Sequence, residues 1–174
     1  MNLEEKEINE DVDKGVIIKL RLKYPYVSDA VKAAKRINKT LSDLFCDIKK
    51  KALQSADYSY HNCVYRAYES ENGYLSVYFE LTMKGRDKAY SYTPFSFTFD
   101  ERGLPVPLFG KIPKNTFDKV RAEFSERGIK LSKKEFLYSY YLTKKGAVVY
   151  AARRRGSSRH GCIRYEYELP PRGV

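Results

Sequence analysis

Hydrophobic and polar positions alternate strictly in several stretches of the chain. Ile18, Leu20, Leu22 and Tyr24 interleave with Lys19, Arg21 and Lys23. That two-residue period is a strand with one wet face. Tyr24-Pro25-Tyr26 is expected to end it, because proline supplies no ladder donor. The period then changes. Ser28 suits an N-cap, and Asp29 suits the positive end of a helix. Ala30, Ala34, Ile37, Leu41, Leu44, Phe45 and Ile48 recur at helical spacing, with Lys32, Lys35, Lys39, Asp43 and Lys50 opposite. This predicts one amphipathic helix from about Asp29 to Ala52. Its apolar stripe needs a partner, most simply a sheet.

Beyond the helix, residues 62 to 70 read as a strand, and Asn72-Gly73 as a hairpin turn. Leu75, Val77, Phe79, Leu81 and Met83 alternate with Ser76, Tyr78, Glu80 and Thr82. Lys84 to Lys88 then connects to a strand over Ala89 to Asp100. Tyr90 and Tyr92 share one parity there, and Phe95, Phe97 and Phe99 the other, so a bulge or bend is expected at Pro94. Asp100 to Gly103 reads as a tight turn into the proline-rich segment Leu104 to Pro113. Phe117, Val120 and Phe124 predict a short helix stopping near Gly128. Residues 135 to 142 and 146 to 152 read as strands around Lys144-Lys145-Gly146, and Cys162 to Leu169 as the last strand. Residues 1 to 14 are charged and unpatterned, and are expected to be a mobile acidic tail. Residues 15 to 174 are then one α+β domain. Its expected form is two-layered: a curved antiparallel sheet packed by one long and one short helix, with the polar strand parity exposed.

Composition narrows the class. Hydrophobic residues make up 43% of the 174 positions, which is globular rather than disordered. Sixteen Tyr and nine Phe favour sheet. The formal charge of +11 attracts nucleic acid, anionic lipid or a polyanionic wall polymer; dispersed lysines that only aid solubility are the plain alternative. No apolar run reaches the roughly 18 residues a membrane helix needs. The polar N-terminus lacks the apolar core of a secretory signal. The chain is therefore read as cytoplasmic, or as extracytoplasmic if its natural start lies upstream.

Several motifs, in order, resemble a known domain. They are Tyr24-Pro25-Tyr26-Val27-Ser28 entering a helix, Ile37-Asn38 within it, and the strand Leu75 to Phe79. Phe97-Thr98-Phe99-Asp100 with Gly103 and Leu108-Phe109 follow, then Tyr141 to Tyr150. From about residue 15 to 169 the chain resembles the extracytoplasmic domain of unknown function in lysozyme-sensing anti-sigma factors of the RsiV type. The same domain stands beside the catalytic domain of some peptidoglycan deacetylases. The resemblance implies a bacterial cell-envelope binding or sensing module without chemistry of its own and without a cofactor. Two segments depart from that pattern. Lys84 to Ala89 lacks the family's histidine, and Ala151 to Gly161 is far more basic. An anionic polymer or a protein fits such a surface. A basic, lysozyme-like ligand fits less well, since like charges slow encounter.

Candidate chemistry concentrates in two places. Arg153, Arg154, Arg155 and Arg159, with Lys144 and Lys145 on the preceding hairpin, form an anion-binding candidate beside Tyr140, Tyr141 and Tyr150. The alternatives are a solvated loop guarding a sheet edge, or a nucleic-acid contact. Both histidines precede a cysteine by two: His61 with Cys63, and His160 with Cys162. On adjacent strands those four make a zinc-compatible set, with Cys46 as a spare ligand. A Cys63 to Cys162 disulfide, a Cys-His dyad and unlinked buried thiols are the other readings. Asp43 and Asp47 lie one helical turn apart, spaced to pair with Lys39 and Lys51 as solvated helix charges. No phosphate loop, zincin pair or dinucleotide fingerprint occurs. A non-catalytic envelope binding module is the expected function; a wall-associated hydrolase using His160 or Cys162, and an intracellular nucleic-acid-binding domain, are the alternatives.

Overall fold

The computed structural model describes residues 1–28, 32–55, 57–70, 73–85, 90–107, 116–130, 132, 138–143 and 146–152, and the backbone of 162–168. Ten elements follow in order: β1 Leu3–Asp13, β2 Ile17–Val27, α1 Lys32–Gln54, β3 Tyr58–Glu69, β4 Leu75–Gly85, β5 Tyr90–Phe99, α2 Thr116–Glu126, β6 Tyr140–Leu142, β7 Gly146–Ala152 and β8 Cys162–Glu168. The α+β class is as the sequence predicts. Strands β1 to β5 form one sheet in chain order, and β6 to β8 form a second. The larger sheet is mixed, because β2 and β3 pair in parallel over Lys19–Leu22 with Tyr60–Cys63. A parallel pair needs a crossover, and α1 supplies it.

The first fourteen residues are not a tail. They form β1, an antiparallel partner of β2 along its whole length. Ile8 faces Leu22 and Val12 faces Ile18 in register. The acidic positions of β1 meet the basic ones opposite or nearby: Glu5 lies 2.7 Å from Lys23, Asp11 2.8 Å from Arg21, and Glu10 2.6 Å from Lys49 of α1. Gly15, at φ 77°, makes the turn. Strand β2 also runs through Pro25, which pairs with Glu5. Pro25 lies beyond the parallel pairing with β3, where β2 has β1 alone beside it.

Helix α1 buries Ala34, Ile37, Leu41 and Phe45 on one face of the larger sheet, with Leu20, Leu22, Leu75, Val77 and Phe79. Phe45 sits 4.5 Å from Tyr24 and 5.4 Å from Phe79, centroid to centroid. Fully burying each such side chain contributes about 1.5–3 kcal/mol. Asn38 ties the helix to the end of β2: its amide oxygen accepts from Val27 N and its amide nitrogen donates to Val27 O, both at 2.8 Å. The predicted cap at Ser28 involves residues 29–31, outside the described ones.

The opposite face of β4 is not wet. Five successive residues, Leu75 to Phe79, are buried, so β4 is covered on both sides. Tyr78 packs with Tyr141, Val148 and Tyr150 of the second sheet. The other face of that sheet holds Tyr140, Leu142, Ala147 and Val149 against Val120 and Phe124 of α2. The two helices therefore cover different sheets rather than sharing one face. Helix α2 ends as predicted: Gly128 at φ 75° lets Ile129 N donate to Phe124 O and Gly128 N to Ser125 O, both at 2.9 Å.

Candidate functional site

Strand β5 is the outer strand of the larger sheet. Its register with β4 runs unbroken through Glu80↔Pro94, so the bulge expected there does not occur. The reason lies in strand parity. Thr98 O accepts from Val106 N, away from β4. In an antiparallel ladder N–H and C=O of one residue point the same way and alternate along the strand. Pro94, four residues earlier, therefore also faces outward, where its missing N–H breaks no ladder bond.

The side chains of β5 split between two faces. Phe95 stacks on Phe79 at 4.9 Å on the α1 side. Ser96 and Thr98 point to the second sheet and are fastened there. Ser96 Oγ donates to Tyr140 O and accepts from Tyr150 Oη at 2.8 Å. Thr98 Oγ1 lies 2.6 Å from Ser76 Oγ, which accepts Leu142 N at 2.9 Å. Tyr140 Oη donates to Val106 O at 2.7 Å. Burial pushes the Tyr140 phenol up to about 12, so it stays protonated as a donor. These bonds fix β6 and β7 against β4 and β5.

A groove of about 490 Å³ results along the outer edge of β5. It is lined by Leu44 of α1, by Phe95, Ser96 and Phe97 of β5, and by Val106, Tyr138, Tyr140 and Tyr150. Tyr138 is 58% exposed. Such a surface recognises rings and apolar groups by stacking and area. In the sequence Tyr140 and Tyr150 stand out beside a basic loop, whereas Phe95, Phe97 and Tyr138 carry only the signal of strand residues.

The residues singled out in the sequence fare differently. Lys144, Lys145, Arg153, Arg154, Arg155, Arg159 and His160 lie outside the described residues. His61 and Cys63 lie on the α1 side of β3, both buried. The neighbours of β3 are β2 and β4, whereas Cys162 begins β8 in the second sheet. The adjacent strands required for the four-residue zinc set are therefore not formed, and no group of three or more metal-ligating side chains occurs among the described residues. Cys63 is a free thiol, so the disulfide to Cys162 is not formed. Burial, with the Glu80 charge, pushes the Cys63 thiol up to about 12, far from a reactive thiolate. Burial also pushes the His61 imidazole below its ordinary value, and its Nδ1 has no partner among the described residues. Cys46 is an exposed free thiol on α1. Asp43 pairs with Lys39 at 2.7 Å, as helix spacing predicts.

No family model matches the chain, and no curated protein matches it. Its fold is similar to the crystal structure of a DUF3298 family member from Bacteroides fragilis, with a TM-score of 0.50 at 10% identity. The match covers 96% of this chain and 90% of that one. At this identity the likeness concerns the fold, that of a domain of unknown function. No described helix is long and apolar enough to cross a membrane.

Proposed function

We propose that this chain is a non-catalytic binding or sensing module of the bacterial cell envelope, related to the RsiV-type domain, and that it holds an anionic wall polymer in the groove beside β5. The observation that carries this reading is the aromatic groove itself. Its lining comes from both sheets and the connections between them, and the sheets are locked together by Ser96, Thr98, Tyr140 and Tyr150 before any ligand arrives. Preorganised aromatic surface gives affinity without an ordering cost. The formal charge of +11 draws a polyanion to it.

The test is a co-sedimentation assay with purified wall polymer, alongside an assay for released fragments. The polymer should be retained without turnover. Tyr138→Ala, which removes the exposed ring from the lining, should weaken retention about fivefold, since loss of one stacking ring is worth about 1 kcal/mol. Fragment release by the purified chain overturns the non-catalytic assignment. Equal retention by wild type and variant overturns the groove, and recovery of a protein in place of the polymer overturns the ligand class.

A further inference from the structure

A second concave surface lies at the start of α1, separate from the groove. It is a cleft of about 790 Å³ lined by Lys32, Ala33, Arg36, Glu101, Arg102 and Leu104. Lys32 and Arg36 are one helical turn apart, on one face of α1, and are both exposed. Like charges at that spacing repel. Both also sit at the end of the helix whose dipole disfavours cations, and the described first turn carries no acid. Neither forms an ion pair among the described residues.

A third cation is brought up by the backbone. Gly103, buried at φ +74°, lies so close to α1 that a Cβ there would sit 2.4 Å from Ala33 O. That approach seats the Asp100–Gly103 turn on the helix, and Arg36 Nη1 donates to Arg102 O at 3.3 Å. Asp100 holds the Arg102 side chain in place. It accepts Arg102 Nε at 3.0 Å and Nη2 at 2.9 Å, and the backbone N–H groups of Arg102 and Leu104 at 2.9 Å each. Burial opposes the ionisation of Asp100, but these donors outweigh it and hold its carboxyl below the usual range. Its lone pairs are thus spent on orienting Arg102. Arg102 Nη1 lies outside that pair, and Glu101 is the only carboxylate lining the cleft among the described residues.

We infer that the cleft between the first turns of α1 and the Asp100–Gly103 turn is a binding site for a phosphate-type oxyanion, held by Lys32, Arg36 and Arg102. Three cations line one cleft, two of them form no ion pair among the described residues, and an anion between them relieves their repulsion. Guanidinium forks suit tetrahedral oxyanions, and the ammonium adds a movable point charge. The inference does not rest on the groove, because no lining residue is shared between the two surfaces. Leu44 of the groove lies eight residues beyond Arg36, about 12 Å along the helix at 1.5 Å per residue. A phosphate-bearing polymer can therefore reach both.

The test is a titration of the whole chain with inorganic phosphate, followed by amide NMR shifts at constant ionic strength, with chloride as the balancing salt. Saturable shifts are expected at Ala33, Arg36, Arg102 and Gly103. The double variant Lys32→Gln/Arg36→Gln should lower the phosphate affinity at least tenfold and leave the rest of the spectrum unchanged. A phosphodiester-linked polymer that shifts the same amides identifies the polymer as the source, whereas response to inorganic phosphate alone identifies a free phosphate or monoester. The inference is overturned by equal phosphate affinity of wild type and variant, or by shifts reproduced with chloride. None of these readouts depends on the groove, so failure of either proposal is seen separately.

Discussion

Replacing Ser76 by alanine should weaken the joint between the two sheets by an amount that can be worked out from its bonds. Ser76 is fully buried on β4. Its hydroxyl is 2.6 Å from Thr98 Oγ1 and accepts Leu142 N at 2.9 Å. Alanine leaves the Leu142 N–H without that acceptor and the Thr98 hydroxyl without that partner. A buried polar group left unsatisfied costs about 1–3 kcal/mol. The loss from two such groups, partly relieved by local movement, should be about 2–4 kcal/mol. For a chain of this size that corresponds to a melting temperature lower by about 4–16 °C, at about 2–4 °C per kcal/mol. Urea unfolding at pH 7 gives the free-energy change, and an unaltered m-value shows that the denatured state has not changed. A cycle with Thr98→Val separates the hydroxyl pair from the Leu142 bond. The exposed Ser125→Ala is the control and should lie within about 0.5 kcal/mol of wild type. A loss below about 0.5 kcal/mol for Ser76→Ala, or no coupling to Thr98, refutes the account of how the sheets are joined.

Two further changes probe the same framework. Gly103→Ala should lose about 2–4 kcal/mol, because it combines a left-handed backbone with a Cβ 2.4 Å from Ala33 O. Gly15→Ala should lose only about 1 kcal/mol: its φ is +77° but nothing lies within 4 Å. Equal losses in urea melts would rule out the close approach. Burial lowers the His61 pKa from its ordinary 6.5. The unfolded chain then binds more protons, so stability is complete above about pH 6.5 and declines as pH falls below it. Unfolding measured at pH 7.5 and 5.5 should show this decline, and His61→Leu should reduce it. The same decline in the variant would remove His61 as its cause.

The elements were largely legible because their periods were clean. The stripe of Ile37, Leu41 and Phe45 and the alternation of Val77 and Phe79 do meet in one core. The error at the N-terminus had a physical origin. β1 is an edge strand whose side chains are mostly exposed; of its three apolar residues Leu3 is exposed, and Ile8 and Val12 alone carry the inward signal. Its pattern is written in charge: Glu5 and Asp11 answer Lys23 and Arg21 across the ladder. Pro94 misled for the opposite reason. A proline in a strand suggests an irregularity, but on an edge strand half the positions face outward and tolerate it.

The site was less legible because chemistry-bearing residues that cluster in sequence draw attention, whereas a groove is assembled by topology. Leu44, Phe95, Val106, Tyr138 and Tyr150 come from segments far apart in the chain. Lys32 and Arg102 converge because a glycine lets one backbone touch another. One signal nonetheless pointed to the second sheet. The parity of β3 and β4 that was expected to be wet includes Tyr68 and Tyr78, and that of β5 includes Tyr92, together with the small hydroxyls Ser76 and Thr98. Tyr78 lies 4.9 Å from Tyr141 and 5.1 Å from Tyr150, Tyr68 stacks on Tyr141 at 5.2 Å, and the hydroxyls of Tyr78 and Tyr92 meet at 3.1 Å. A solvated face has no use for three aromatic rings beside two small hydroxyls. Tyrosine gives up its apolar area to packing while its hydroxyl finds a partner, and Ser and Thr leave room for a close second layer. A polar parity rich in tyrosine and poor in charge therefore marks a covered face, and here it marks the joint that shapes the groove.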